Sequence, residues 1–255
     1  MSVTHPPVAP EINLLDLSDL RESLAAGWRD FRRAPVLGLA FSAVYVFGGW
    51  LILWAMTAKG QVWWTLPAGA GFPILGPFIA CGYYEISRRL EAGEPLDAPA
   101  IFGVIFRQKD RQIPAMAAVI VVYFLFWNFL SHMIFALFLG NAVMTNVSSS
   151  LAVFLTPEGL AMLAFGTAVG AAFATLLFCL TVVSLPMLLD REVDFVTAML
   201  TSFALVRENP RLMLGWGALI AICLFLGMLP GFVGLLVVLP LFGHASWHLY
   251  RRAIT

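Results

Sequence analysis

LPMLLDREVDFVTAMLTSFALVRENP, residues 185–210, is a hydrophilic island between two long apolar blocks, and its internal order decides how the rest of the chain is read. Asp190, Arg191 and Glu192 close the block before it. Asp194 stands where a helix should start, because its carboxylate can accept hydrogen bonds from the free N–H groups of a first turn. Val196, Met199, Leu200 and Phe203 follow at helical spacing and lead to Arg207. Pro210 opens the next apolar block, in a position where its missing N–H would be unpaired anyway. One short stretch thus starts two helices, an amphipathic one and an apolar one.

The same order recurs twice upstream. Asp16 precedes Leu17, Leu20, Leu24, Trp28 and Phe31, with Arg21, Glu22, Arg29, Asp30 and Arg32 on the remaining surface, and Pro35 opens the block that follows. Asp97 precedes Ile101, Phe102, Ile105 and Phe106, then Arg107 and Lys109, and Pro114 opens the third block. Each even-numbered block carries a proline as well, at Pro77, Pro186 and Pro240. Arg88-Arg89 and Arg251-Arg252 stand at the same offset beyond the first and last of these. The chain reads as three copies of an amphipathic helix followed by an apolar hairpin. Aromatic and Arg residues at the stripe edges suit helices lying at a membrane interface.

Composition points the same way. Hydrophobic residues make up 60% of the chain and charged ones 12%, with a mean hydropathy of +0.87, whereas about a quarter of a soluble domain is charged. Twenty-eight of the thirty charged side chains lie in four hydrophilic stretches, leaving Lys59 and Glu158 alone between apolar blocks. A charge at the bilayer centre costs several kcal/mol, so the blocks belong in lipid. Runs of the required ~20 apolar residues predict spans at about 36–56, 62–84, 113–140, 160–189, 212–228 and 232–250, the last two divided by a Pro230-Gly231 turn and forming either two spans or a re-entrant hairpin.

The predicted fold is all-α: a polytopic membrane bundle of six transmembrane helices in three hairpins, each hairpin preceded by a cytoplasmic amphipathic helix. Residues 16–255 form one integral membrane domain after a disordered N-terminus, 1–15. The opening MSVTHPPVAPEINLLDLSDL lacks a basic n-region and an early apolar run, so no signal peptide is read. Fourteen of the fifteen basic residues fall on one side of this topology. The positive-inside rule places both termini and the two long loops there, in the cytoplasm. Cys81, Cys179 and Cys223 lie inside apolar blocks and imply no disulfide framework.

Ionisable residues inside a membrane are the usual pointers to chemistry. Here they reduce to His132, His244 and His248. The last two stand at i, i+4 on one helix face, where they could share a metal or approach a haem, with His132 as a third ligand. Alternatively, His244 and His248 belong to an interfacial anchor with Trp247 and Tyr250, and His132 is a polar packing contact beside Asn128 and Ser131. Pro67, Gly69, Gly71, Pro73, Gly76 and Pro77 crowd the second block. A helix broken there would expose carbonyls to a substrate path, and a merely kinked one would fit between neighbours.

Gly166-x-x-x-Gly170 lets another helix approach closely. Asn146-Val147-Ser148 fits a glycosylation pattern. No phosphate loop, zinc array or nucleophile–base pair can be drawn, so no catalytic residue, metal site or cofactor is expected. Basic and acidic residues balance at fourteen each on the cytoplasmic side, which leaves no excess suited to nucleic acid. Arg32-Arg33, Arg88-Arg89 and Arg251-Arg252 are placed near anionic headgroups.

Three stretches carry a family resemblance: GWRDFRRAPVLGLAF at 27–41, the 185–210 island, and VVLPLFGHASWHLYRR at 237–252. From about Leu20 to the C-terminus the chain resembles the bacterial integral membrane proteins grouped as domain of unknown function 2189. The resemblance implies a multi-pass protein of the bacterial inner membrane. Some members carry a cytochrome c oxidase label, which implies a haem- or metal-binding protein associated with a respiratory oxidase as one alternative. A carrier or channel for a neutral or lipid-like solute is another. The leading expectation from the residues is a non-enzymatic protein in the assembly, organisation or accessory support of a membrane complex. Its expected partners are the lipid bilayer and either such a complex or further copies of itself.

Overall fold

Asp16, Asp97 and Asp194 each begin a helix, as their positions in the sequence require. In the computed structural model, which describes residues 10–59, 65–107, 112–140 and 154–255, these are α1 (Leu17–Arg33), α4 (Ala98–Arg107) and α8 (Phe195–Glu208). The Asp16 carboxylate accepts from the Ser18 and Asp19 amides while Asp19 reaches back to the Asp16 N–H, closing a capping box. Asp97 accepts from the Ala100 N–H, and Asp194 from that of Thr197. Each capped helix is followed by a long apolar one with proline in its first turn. These are α2 (Pro35–Lys59), α5 (Ile113–Leu139) and α9 (Pro210–Met228).

The remaining helices are α3 (Thr65–Ala92), α6 (Pro157–Thr181), α7 (Ser184–Asp190) and α10 (Leu235–Ala253). The break between α6 and α7 falls at Val182 and Val183. Pro186 explains it: a proline ring clashes with the carbonyl four residues earlier and leaves it without a donor, and that carbonyl belongs to Val182. Pro240 sits inside α10 without ending it. α3 is helical throughout its Pro/Gly-rich stretch, so no unwound break lies between Thr65 and Ala92. The side chains of Pro67, Gly69, Gly71 and Pro73 lie outside the described residues, as do the side chains of Lys59, Ile105, Phe106 and Arg107, all of Lys109, and the Asn146-Val147-Ser148 pattern.

The expected six spans require correction. Among the described residues three helices are long and apolar enough to cross a membrane: Ile113–Leu139, Pro157–Asp190 and Pro210–Met228. A fourth is counted if α1 and α2, which meet at 99°, form one bent span. The expected span at 36–56 enters only through that pair, and among the described residues those at 62–84 and 232–250 have no counterpart. The reason is where the polar residues lie along the helices. The described side chains of α3 leave only a short apolar run after Gly76 before Glu85, Arg88, Arg89 and Glu91. In α10 the second half carries His244, Ser246, His248, Arg251 and Arg252, and most of its residues are buried in protein. An apolar window drawn on sequence stops at the charges, whereas the helix does not.

α10 organises the molecule. Near its start, the Gly231 carbonyl accepts from Trp50 Nε1 of α2 at 2.7 Å. Pro240 lies against Gly38, close to the corner between α1 and α2. Beyond it, α10 packs along α1 as far as Arg252, which meets Asp19 and Glu22. Residues 11–15, placed with the N-terminal tail by the sequence, lie against the end of α10. Ile12 and Ile254 form an antiparallel bridge, and Asn13 Nδ2 donates to the Arg252 carbonyl at 2.8 Å. Buried Asn209 holds the same strap, its Oδ1 accepting from the Leu15 N–H at 2.8 Å. The main apolar core gathers Trp216, Met187, Leu205, Trp247, Leu249 and Tyr250 between these elements.

The four charged stretches meet in one polar layer. Glu85 is gripped by Arg88 and Arg89 of its own helix at 2.8 Å each. Glu91 accepts from Trp247 Nε1 and from Arg251, and Asp190 accepts from the Tyr250 hydroxyl and Arg251. Arg191 donates to Tyr250 and to the carbonyls of Ile254 and Thr255. Two arginine doublets assigned by sequence to lipid headgroups, Arg88-Arg89 and Arg251-Arg252, are therefore engaged with carboxylates of the protein. Arg32 and Arg33 remain exposed.

Candidate functional site

Small residues bring the polar groups of α1, α3 and α10 together. A Cβ on Gly27 would lie 2.6 Å from the Ala245 nitrogen and 2.8 Å from the Leu241 oxygen, so α1 and α10 touch backbone to backbone. A Cβ on Gly243 would lie 2.5 Å from the Tyr83 ring of α3. Ser23, Ala26, Gly27 and Asp30 form the buried face of α1 at this crossing.

Four side chains converge there. His248 Nε2 lies 2.7 Å from Asp30 Oδ2, and Ser87 Oγ lies 2.9 Å from His244 Nδ1. The Ser87 hydroxyl and His244 also act electrostatically on the Asp30 carboxylate, which links the two pairs. The order is thus His248, Asp30, Ser87, His244, running from a partly exposed imidazole to one with no exposure. His244 Nε2 is buried without a hydrogen-bond partner, as is Ser23 Oγ on the facing helix. The Tyr83 ring stands edge-on to His244 at 5.5 Å, and its hydroxyl lies 2.8 Å from Ser42 Oγ, which donates to the Gly38 carbonyl.

Burial pushes the Asp30 carboxyl up, but the hydrogen bond and charge of His248, with the Ser87 hydroxyl nearby, outweigh it, leaving the group below its ordinary value of 3.8. Glu85 follows the same logic: burial raises it, and Arg88 and Arg89 bring it below the ordinary 4.5. Both carboxylates are therefore held in their charged form. The junction is a charged clasp between three helices.

The sequence candidates fall in different places. His244 and His248 both belong to the clasp, each committed to a partner of its own. His132 is exposed on α5, its Nδ1 2.7 Å from the Asn128 carbonyl one turn earlier. Among the described residues no group of three His, Cys, Asp or Glu side chains could hold a metal ion, so the three histidines do not converge as a ligand set. Gly76 faces the Tyr45 hydroxyl, and Pro77 is buried. Asp30 and Ser87 carry the clasp but draw no notice in the sequence. Asp30 reads there as surface charge, although its place one turn after Ala26 and Gly27 and two after Ser23 was the available signal of a close crossing.

Gly166 and Gly170 lie in a second feature, at the α5–α6 pair. Gly170 sits under Trp127, with a Cβ position 3.1 Å from the ring. Beside this contact an open apolar groove of about 560 Å³ runs between the helices, floored by Gly166, Gly170, Ala171 and Ala174 and flanked by Trp127 and Phe135.

Residues 65–190 match the family described as "Predicted integral membrane protein (DUF2189)". Over that segment, just under half of its length, the chain is similar to this family. The DUF2189 segment runs from α3 through α7 and contains Ser87 and the α5–α6 groove. Asp30, His244 and His248 come from outside it, as do residues 27–41, 191–210 and 237–252 of the stretches that carried the resemblance. No curated protein and no solved structure matches the chain. Family and helices together make it a bacterial multi-pass membrane protein.

Proposed function

We propose that this protein is a non-enzymatic component of the bacterial inner membrane, acting in the assembly or accessory support of a membrane complex, with the α5–α6 flank as its docking face. The observation that carries the reading is the groove of about 560 Å³ between two membrane-spanning helices. Its Gly/Ala floor is the surface on which transmembrane helices approach each other closely. The face beside it adds support. α5 exposes Val122, Phe126, Phe129 and Met133 along one stripe together with His132. An imidazole inside a span normally faces protein or a water-filled cavity, so a partner helix over this stripe accounts for its outward position. The partner is read as an apolar transmembrane helix, of another protein or of a second copy.

In this reading the polar layer, with both chain ends, faces the cytoplasm. The balance of fourteen basic residues to one supports that orientation. α8 turns Val196, Leu200 and Phe203 outward, as an interfacial helix would.

The test is extraction of the tagged full-length protein in mild detergent, followed by native electrophoresis and mass measurement of the complex. A Gly166→Leu/Ala174→Leu double variant, which fills the groove, is expected to release the protein as a monomer with its thermal midpoint nearly unchanged. A wild-type protein that runs as a monomer after mild extraction and cross-linking in the membrane would end this reading.

A further inference from the structure

Beside the clasp, where α2, α3, α9 and α10 meet, lies a partly open cavity of about 190 Å³. Its wall is apolar except for hydroxyls: Tyr45, Tyr83, Tyr84 and Ser246 stand among residues such as Leu224 and Phe242, and among the described residues no carboxylate, Lys, Arg or His lines it. These hydroxyls are not equally occupied. That of Tyr83 is taken by Ser42, and that of Tyr45 lies over Gly76. Tyr84 is only 6% exposed, yet among the described residues its hydroxyl has no hydrogen-bond partner. The Ser246 hydroxyl has none either. Tyr84 is nearly enclosed and Ser246 half-buried, so two hydroxyls that bond nothing else in the described protein open onto one cavity wall as donors for a ligand.

We propose that this cavity binds a neutral, largely apolar molecule through a hydrogen-bond-accepting carbonyl oxygen, with Tyr84 and Ser246 as donors. The wall fixes each property. Without a charged lining residue an ion would be desolvated with nothing to offset it, which selects a neutral ligand. The apolar lining selects an apolar body, and hydroxyls not used within the protein select an acceptor. The volume lies below the ~300–1,000 Å³ of sites for drug-sized molecules, so a single ring or a chain end enters rather than a whole lipid. The carbonyl can belong to an ester of a membrane lipid or to a free ketone. This site shares no residue with the α5–α6 groove and stands whether or not that groove docks a partner.

The experiment is photolabelling of the full-length protein in phosphatidylcholine vesicles with a diazirine-bearing fatty-acid methyl ester. Saturable labelling is expected on the peptides that carry Tyr84 and Ser246. Tyr84→Phe should weaken it roughly threefold to tenfold, the effect of one lost hydrogen bond, while labelling of the lipid-facing α5 stays constant. Ser246→Leu, which fills the cavity, should abolish it. Competition by an unlabelled methyl ester but not by a long-chain methyl ketone assigns the lipid ester, and stronger competition by the ketone than by the ester assigns a free carbonyl compound. Non-saturable labelling, equal labelling of wild type and Tyr84→Phe, or failure of both competitors would overturn the proposal, and the last result would leave the cavity to water.

Discussion

At the scale of single residues, the groups that set this molecule's behaviour are polar ones buried between helices. Asp30 is the clearest. Asp30→Asn removes the charge that His248 faces, and is expected to cost about 1–3 kcal/mol of stability, read as a lower thermal midpoint in detergent at neutral pH. The pH dependence has a definite sign. Asp30 and Glu85 are both depressed in the folded protein, so their contribution is fully present above the ordinary carboxylate values of 3.8 and 4.5 and is lost as pH falls below them. Thermal midpoints measured from pH 7 down to pH 3 should therefore fall more steeply for wild type than for Asp30→Asn. Asn209→Ala should cost a similar ~1–3 kcal/mol, because it strands the Leu15 N–H. It should also expose residues 11–15 to protease. Little of this was legible in sequence. Asp30 looks like any other acid on an amphipathic helix, and Asn209 like a helix-ending polar residue before Pro210, because neither partner is near in the chain.

At the scale of elements, local chemistry was readable and packing was not. The three aspartate caps and the three prolines at helix starts act within one turn, so their spacing alone placed α1, α4 and α8 and the long helices behind them. The buried side of α1 was legible only in part. Of its apolar stripe Leu17, Leu20, Leu24, Trp28 and Phe31, Leu20 and Phe31 are buried and Leu17 and Trp28 exposed, while Ser23, Ala26 and Gly27, outside the stripe, are buried too. Close backbone approach selects for smallness, which hydropathy does not score. Gly27→Ala tests this element directly: a methyl group directed at the Ala245 nitrogen cannot be relieved by a side-chain rotation. About 1–3 kcal/mol of destabilisation is expected. Gly215→Ala on α9, where a Cβ meets nothing within 4 Å, should be nearly neutral. Comparable losses for the two would contradict the α1–α10 contact.

At the scale of the whole molecule, the alternation of charged and apolar stretches is the sequence image of a single polar layer joined to an apolar bundle. That much was legible because it needs only one-dimensional counting. The number of spans was not, because α10 carries a long apolar run into a polar, protein-enclosed second half, and a hydropathy window cannot tell lipid from protein as the apolar surroundings. The layer itself rests on contacts between distant stretches: Asp19 with Arg252, Glu91 with Arg251 and Trp247, Asp190 with Tyr250, and Arg191 with the C-terminal carbonyls. All four charged stretches should therefore lie on one side of the membrane, and Glu158, exposed in the first turn of α6, on the other. The direct measurement is cysteine accessibility in intact bacterial cells, on a background with Cys81, Cys179 and Cys223 replaced by Ala. Single cysteines at Arg21, Glu94, Glu208 and Thr255 should resist a membrane-impermeant maleimide until the cells are opened, while Glu158→Cys reacts at once. Reaction of any one of the four in intact cells, with the others protected, would contradict the single polar layer.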